Sequence, residues 1–183
     1  ESMIYATAAK GWRSGGWNKI ASDTDITDFS ILFEEEEIWS YEIGYKSTFN
    51  DGKGVFNVAV FNQDVENHQH FVFIASAGGQ ITTNIPEGEV DGIEIELSTL
   101  LDNGVQVGLA AGWLDSEITK FDGTELGYGR PMTAESGEPV LGAKFPSVDH
   151  RQINLFAQYT GSTELGDLIA RVDWNHNGDK QWF

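Results

Sequence analysis

The chain has 183 residues, with 29 acidic against 11 basic side chains, a formal net charge of −18 at pH 7 and no cysteine. That balance excludes nucleic acid as a partner, because phosphate binding needs clustered Lys and Arg. The missing thiols exclude a disulfide framework, a thiolate metal site and a cysteine nucleophile. A hydrophobic fraction of 40% argues for a folded chain. The longest apolar run, Gly108 to Leu114, falls far short of the ~18 residues of a membrane helix, which leaves a membrane β-barrel open.

The chain enters a β-like stretch at once, from Met3 to Ser14, with no basic or apolar leader before it. The next element is the cleanest: Trp39, Tyr41, Ile43, Tyr45, Ser47 and Phe49 fall on one face, Ser40, Glu42, Gly44, Lys46 and Thr48 on the other. Successive strand side chains point to opposite faces, so this reads as an apolar face backed by a charged one. A strand from Val55 to Gln63 follows, with apolar residues on both faces. Ile93, Ile95 and Leu97 then alternate with Glu94, Glu96 and Ser98, and Val105 to Trp113, Gln152 to Tyr159 and Leu168 to Asn175 repeat the pattern. The expectation is about seven strands of roughly ten residues, longer than the usual soluble strand, and no helix.

The connectors alternate. Asn50-Asp51-Gly52-Lys53, Leu101-Asp102-Asn103-Gly104 and Gly161-Ser162-Thr163-Glu164 read as tight hairpin turns. Between them lie long polar stretches, 18–38, 62–91 and 115–149, which hold 19 of the 29 acidic residues and 4 of the 11 basic ones. The negative charge therefore belongs to one rim. Trp12, Trp17, Trp39, Trp113 and Trp174 sit where strands meet the long links, whereas Tyr5, Phe49, Phe56 and Tyr159 sit near the short turns. Two aromatic girdles at membrane interfaces account for that placement. A soluble acidic β-sandwich of the carbohydrate-binding kind also has one apolar face per strand, so periodicity alone leaves both architectures standing.

Several motifs in register resemble one family. Glu36-Glu37-Ile38-Trp39-Ser40-Tyr41-Glu42-Ile43-Gly44-Tyr45-Lys46-Ser47 resembles the "PE…W-YE-G-KS" strand of TonB-dependent outer-membrane receptors, although Glu36 stands where that motif has Pro. Asn57-Val58-Ala59-Val60-Phe61 is similar to its "N-A-F" strand, and Tyr5 to Asn18 to its "Y-S-G-F-R-S-G-G-F-N" segment. Gly92 to Leu97 resembles its "G-E-E" strand, and Gly112 to Thr119 its "Y-L-D-A-T" strand end. The resemblance implies an all-β fold: an antiparallel transmembrane β-barrel segment with short periplasmic turns and long extracellular loops. It implies that residues 1–183 are a partial receptor barrel in the bacterial outer membrane, without the plug domain or the barrel-closing strands. The implied function is TonB-dependent uptake of a ferric siderophore or similar scarce solute. The implied partners are the TonB complex of the inner membrane, outer-membrane lipid and a metal chelate or other small solute. A passive porin is the other membrane alternative.

No enzyme chemistry is legible, since neither a nucleophile elbow nor a phosphate loop is present, and no cofactor is expected. The His68-Gln69-His70 segment puts two imidazoles on one face of an extended chain, with Asp64 or Glu66 as the only nearby third ligand. Glu34 to Glu37 reads as a solvated loop run and Glu94 and Glu96 as lumen-facing carboxylates; no metal site is assigned. By position on the long links, ligand capture is expected to involve Trp17, Glu35, His68, His70, Tyr128 and Arg130. The membrane-interface aromatics are expected to be Trp12, Trp39, Trp113, Trp174, Phe49 and Tyr159.

Overall fold

The computed structural model describes residues 1–18, 32–74, 79–121, 141–146, 148–164 and 166–179. Its strands are β1 (Ser2–Arg13), β2 (Gly16–Trp17), β3 (Leu32–Phe33), β4 (Glu36–Phe49), β5 (Gly54–Ile74), β6 (Gly79–Leu100), β7 (Val105–Lys120), β8 (Arg151–Thr163) and β9 (Gly166–Asn177). Seven of them form one sheet in the order β1-β4-β5-β6-β7-β8-β9, and β2 and β3 form a separate two-stranded ribbon. Every pairing is antiparallel and joins neighbours in the order, so the wall is a meander that does not close on itself. Asn50, Asp51 and Gly52 take φ of 52°, 54° and 81°, and Gly104 takes 80°. These left-handed conformations are what Asn, Asp and Gly supply cheaply in a tight hairpin.

The registers carry each face across the whole wall. Ile43, Val60, Ile93 and Trp113 are successive cross-strand partners, and so are Phe56, Leu97, Leu109, Leu155 and Trp174. Between the upper tryptophans and the short turns this face carries no charged side chain on β4 to β9. Ile43 is 64% exposed and Val172 65%. Large aliphatic side chains left open in this way need an apolar solvent. The opposite face carries Glu42, Lys46, Glu94, Glu96, Arg171 and Asp173, and part of it forms a trough of about 510 Å³ lined by Tyr5, Glu42, Lys46, Glu94 and Glu96. The Tyr5 hydroxyl donates to Glu42 and its ring covers Gly44, so Tyr5 belongs to the polar wall and not to the aromatic girdle read from the sequence.

Followed through the ladders, Trp12 stands level with Glu37 of β4, Trp39 with itself, Trp113 with Ile43 and Trp174 with Ser47. The steps run in one direction. Strands tilted by roughly 35–45° require such a drift if the rings are to share one level. Phe49 and Tyr159 lie on the same face near the turns, 40% and 43% exposed. Above the tryptophans charge returns at once on the outer face, with Glu37, Asp64, Glu66, Glu87, Glu89, Asp91, Asp115 and Glu117.

The stretch 62–91, expected as a loop, is largely strand: β5 and β6 run on as a paired hairpin from Asn62↔Asp91 to Ile74↔Gly79. Likewise β7 continues to Lys120 and β4 begins at Glu36. Backbone groups far from any other cover are satisfied most simply by prolonging a ladder already begun.

Candidate functional site

The site lies where the long hairpin leaves the wall. Ile38, Val65, Gly88 and Ile118 are cross-strand partners on four successive strands, on the face that carries Glu42 and Glu94 lower down. The Phe145 ring lies over Gly88, occupying the space a Cβ there would need. A residue without a side chain is required for that close approach. Val65, Ile85, Ile118 and Phe145 form one buried cluster, with Ile38, Val90, Phe121 and Val148 packed on it. Ser116 Oγ accepts the Phe145 N–H at 3.1 Å and so pins the ring in place.

Just above, Glu66 pairs with Glu87 and His68 with Ile85, while Asn67 between them takes φ of 53° near Pro86. Proline has no N–H to give a ladder. In an unbroken ladder His68 and Ile85 would share the outer face with Glu66 and Glu87. Instead Ile85 is buried beside Val65, and His68 meets Phe145 edge to face with ring centroids 4.9 Å apart. The kink turns the upper hairpin over by one face.

That rotation assembles a polar knot. Glu36 is buried, and its Oε2 accepts from Arg13 Nη2 at 2.7 Å and from the Gln69 N–H at 2.6 Å, with His68 Nδ1 at 3.1 Å. Gln69 Nε2 donates in turn to the carbonyls of Ser14 and Glu34 at 2.9 and 3.0 Å. Burial lowers the His68 pKa and outweighs the attraction of Glu36, with Arg13 adding to the lowering. At neutral pH the contact is therefore an Nδ1–H···O hydrogen bond from a neutral ring, not an ion pair. His70, with its ring centroid 6.5 Å from that of His68, is lowered to about 4, first by burial and then by its neighbour.

The ribbon of β2 and β3 is strapped to the hairpin by two side-chain amides. Asn18 donates to the Thr82 carbonyl at 2.8 Å and accepts from its N–H at 2.7 Å. Asn84 donates to the Glu34 carbonyl at 3.1 Å and accepts from its N–H at 2.7 Å. Each amide imitates one rung of a sheet.

Of the residues expected to capture a ligand, His68 and His70 come together, inside strand β5 and not in a loop. Trp17 is 76% exposed on the ribbon, opposite Leu32. Glu35 is exposed and stands apart from the knot, whereas its neighbour Glu36 is the buried acceptor. Tyr128 and Arg130 lie outside the described residues. Trp12, Trp39, Trp113, Trp174, Phe49 and Tyr159 all lie on the apolar outer face. Among the described residues no group of three or more His, Asp or Glu is placed to hold a metal ion. Glu36, Arg13 and Gln69 escaped sequence reasoning. The signal was parity: Glu36 shares the face of Glu42, opposite Trp39.

The sequence profile of the "TonB dependent receptor-like, beta-barrel" family matches residues 1–183. The chain belongs to the TonB-dependent receptor family. Its barrel segment lies in the outer membrane, with the short turns periplasmic and the long hairpin outside. Solved TonB-dependent receptors share the fold at low identity. The ferric yersiniabactin uptake receptor FyuA from Yersinia pestis is 17% identical, with a TM-score of 0.70 over 97% of this chain and 23% of that one. The ferric preacinetobactin receptor BauA from Acinetobacter baumannii is 17% identical, with a TM-score of 0.63 over 96% of this chain and 23% of that one. The siderophore receptor PiuA from Acinetobacter baumannii gives 18% and 0.58 over 94% of this chain and 27% of that one. The chain thus spans about a quarter of the length of these receptors.

Proposed function

We propose that the chain is part of a receptor that carries a ferric siderophore, or a solute of similar size and scarcity, across the outer membrane with energy from the TonB complex. The observation that supports this most is the segregation of the wall. One face, from β4 to β9, is uncharged between two levels of aromatic side chains; the other carries carboxylates. Above the membrane the same strands continue into a long hairpin braced on the lumen side. A lipid-facing charge at mid-bilayer costs roughly 2–4 kcal/mol, which is why the division is so strict. The six outer-face aromatics serve as interface anchors. Trp17, Glu35, His68 and His70, with Tyr128 and Arg130, contribute to ligand capture from the extracellular side, a reading supported by the exposed Trp17 indole. The fold shared with receptors for ferric yersiniabactin and ferric preacinetobactin and with the siderophore receptor PiuA supports the substrate class.

Uptake of radioactive iron chelates by iron-starved cells expressing the full-length receptor tests the reading. Accumulation is expected only when both the receptor and TonB are present. Flux that persists without TonB and follows solute size alone would make the protein a passive porin.

A further inference from the structure

On the outer face, at and above the level of Trp39, the described lysines are neutralised. Lys10 Nζ lies 2.8 Å from Glu37, Lys120 Nζ 2.7 Å from Glu87, and Lys144 pairs with Asp115. Arg151 differs. It stands directly opposite Trp113 on the lipid-facing side, at the level of the upper girdle. Its Nη2 is 2.9 Å from Nε2 of His176, and the His176 ring stacks beside Trp174, with ring centroids 5.9 Å apart and planes 5° from parallel. A guanidinium has no acceptor, so in this contact Arg151 is the donor and Nε2 the acceptor. No carboxylate neutralises Arg151 among the described residues. The Arg151 side chain is exposed beside Trp113, with His176 and Trp174 on the neighbouring strand.

We propose that Arg151, clasped by His176 between Trp113 and Trp174, is a docking site for a phosphate group on an outer-leaflet glycolipid. The planar fork fits two phosphate oxygens at once. The indoles fix the depth at which the headgroup meets it. The acidic residues elsewhere on the outer face repel anions, and so confine the contact to this spot. Free inorganic phosphate shares the chemistry, and the two sources must be separated by experiment.

The test uses the full-length receptor in detergent micelles, titrated with bisphosphorylated lipid A and followed by native mass spectrometry. Dephosphorylated lipid A and inorganic phosphate are the comparison probes. Arg151→Gln is expected to weaken retention of the bisphosphorylated lipid about tenfold, the loss of one charge-assisted pair. Arg151→Lys, with the charge but not the fork, should fall between. Lys120→Gln should match the unaltered receptor, since that charge is already paired with Glu87. Dephosphorylated lipid A should be retained only at background, and inorganic phosphate should not displace the lipid. Equal retention by the receptor and Arg151→Gln, both heat-modifiable, would overturn the proposal. Displacement by equimolar phosphate would replace the lipid with a free anion.

Discussion

Asn18 and Thr82 exchange two hydrogen bonds, side-chain amide to backbone, across 64 residues of sequence. With the matching pair between Asn84 and Glu34, they tie the ribbon to the hairpin without a continuous strand. Removing one amide leaves a part-buried backbone donor and acceptor unmet, at about 1–3 kcal/mol. Asn18→Ala is expected to speed hydrogen exchange at Thr82 while leaving the membrane-level strands unchanged. Uniform exchange rates in the two proteins would show that the strap carries nothing.

Glu36 gathers a guanidinium, a backbone N–H and an imidazole on one carboxylate oxygen. Glu36→Gln turns an acceptor-only group into one whose NH2 opposes donors, costing about 2 kcal/mol at the knot. Proteolysis near Gln69 should become faster in the variant. Glu35→Gln, one residue away but exposed, should behave as the unaltered protein.

The half-buried imidazoles make the hairpin base sensitive to acid. Both folded pKa values lie below the ordinary 6.5, that of His70 at about 4. The unfolded segment therefore takes up protons first as pH falls. Stability is complete above about pH 6.5 and declines between there and about pH 4. Protection factors at the upper hairpin, corrected for the intrinsic pH dependence of exchange, should fall through that window, and His70→Gln should flatten the part of the dependence due to His70.

Phe145 closes the apolar cluster from outside the sheet. Phe145→Ala should leave a cavity over Gly88 and cost about 3–5 kcal/mol locally. Limited proteolysis of 141–150 is the measurement, and the strands below should remain protected.

Ile95 and Glu94 are neighbours on opposite faces of β6, both held between β5 and β7. Ile95→Lys places a charge in lipid and should cost roughly 2–4 kcal/mol, whereas Glu94→Lys should not block membrane assembly. Heat-modifiable migration of the full-length receptor distinguishes them. Equal assembly of both variants would contradict the assigned faces.

The membrane-level strands were legible because each meets two different solvents. Trp39 to Phe49 must alternate, and the alternation is visible in the letters. The upper hairpin was not legible for the complementary reason. Water surrounds much of 62–74 and 79–91, so Asn62, Asp64, Glu66, Thr82 and Asn84 carry no period, and the stretch reads as loop. The knot was hidden in Glu34-Glu35-Glu36-Glu37, four identical side chains of which position alone buries one. Asn67 could not be anticipated either, since one left-handed residue reverses every facing beyond it.

The row Ile38, Val65, Gly88 and Ile118 beneath Phe145 also gives the inner wall a sequence of solvents. Below it lie the Glu42 and Glu94 carboxylates; above it lies the acidic rim. A solute that follows this wall inward leaves water, crosses a greasy collar, and only then meets charge again. The charge on the inner wall is thus split into two tiers by an uncharged step whose side chains are already packed against one another.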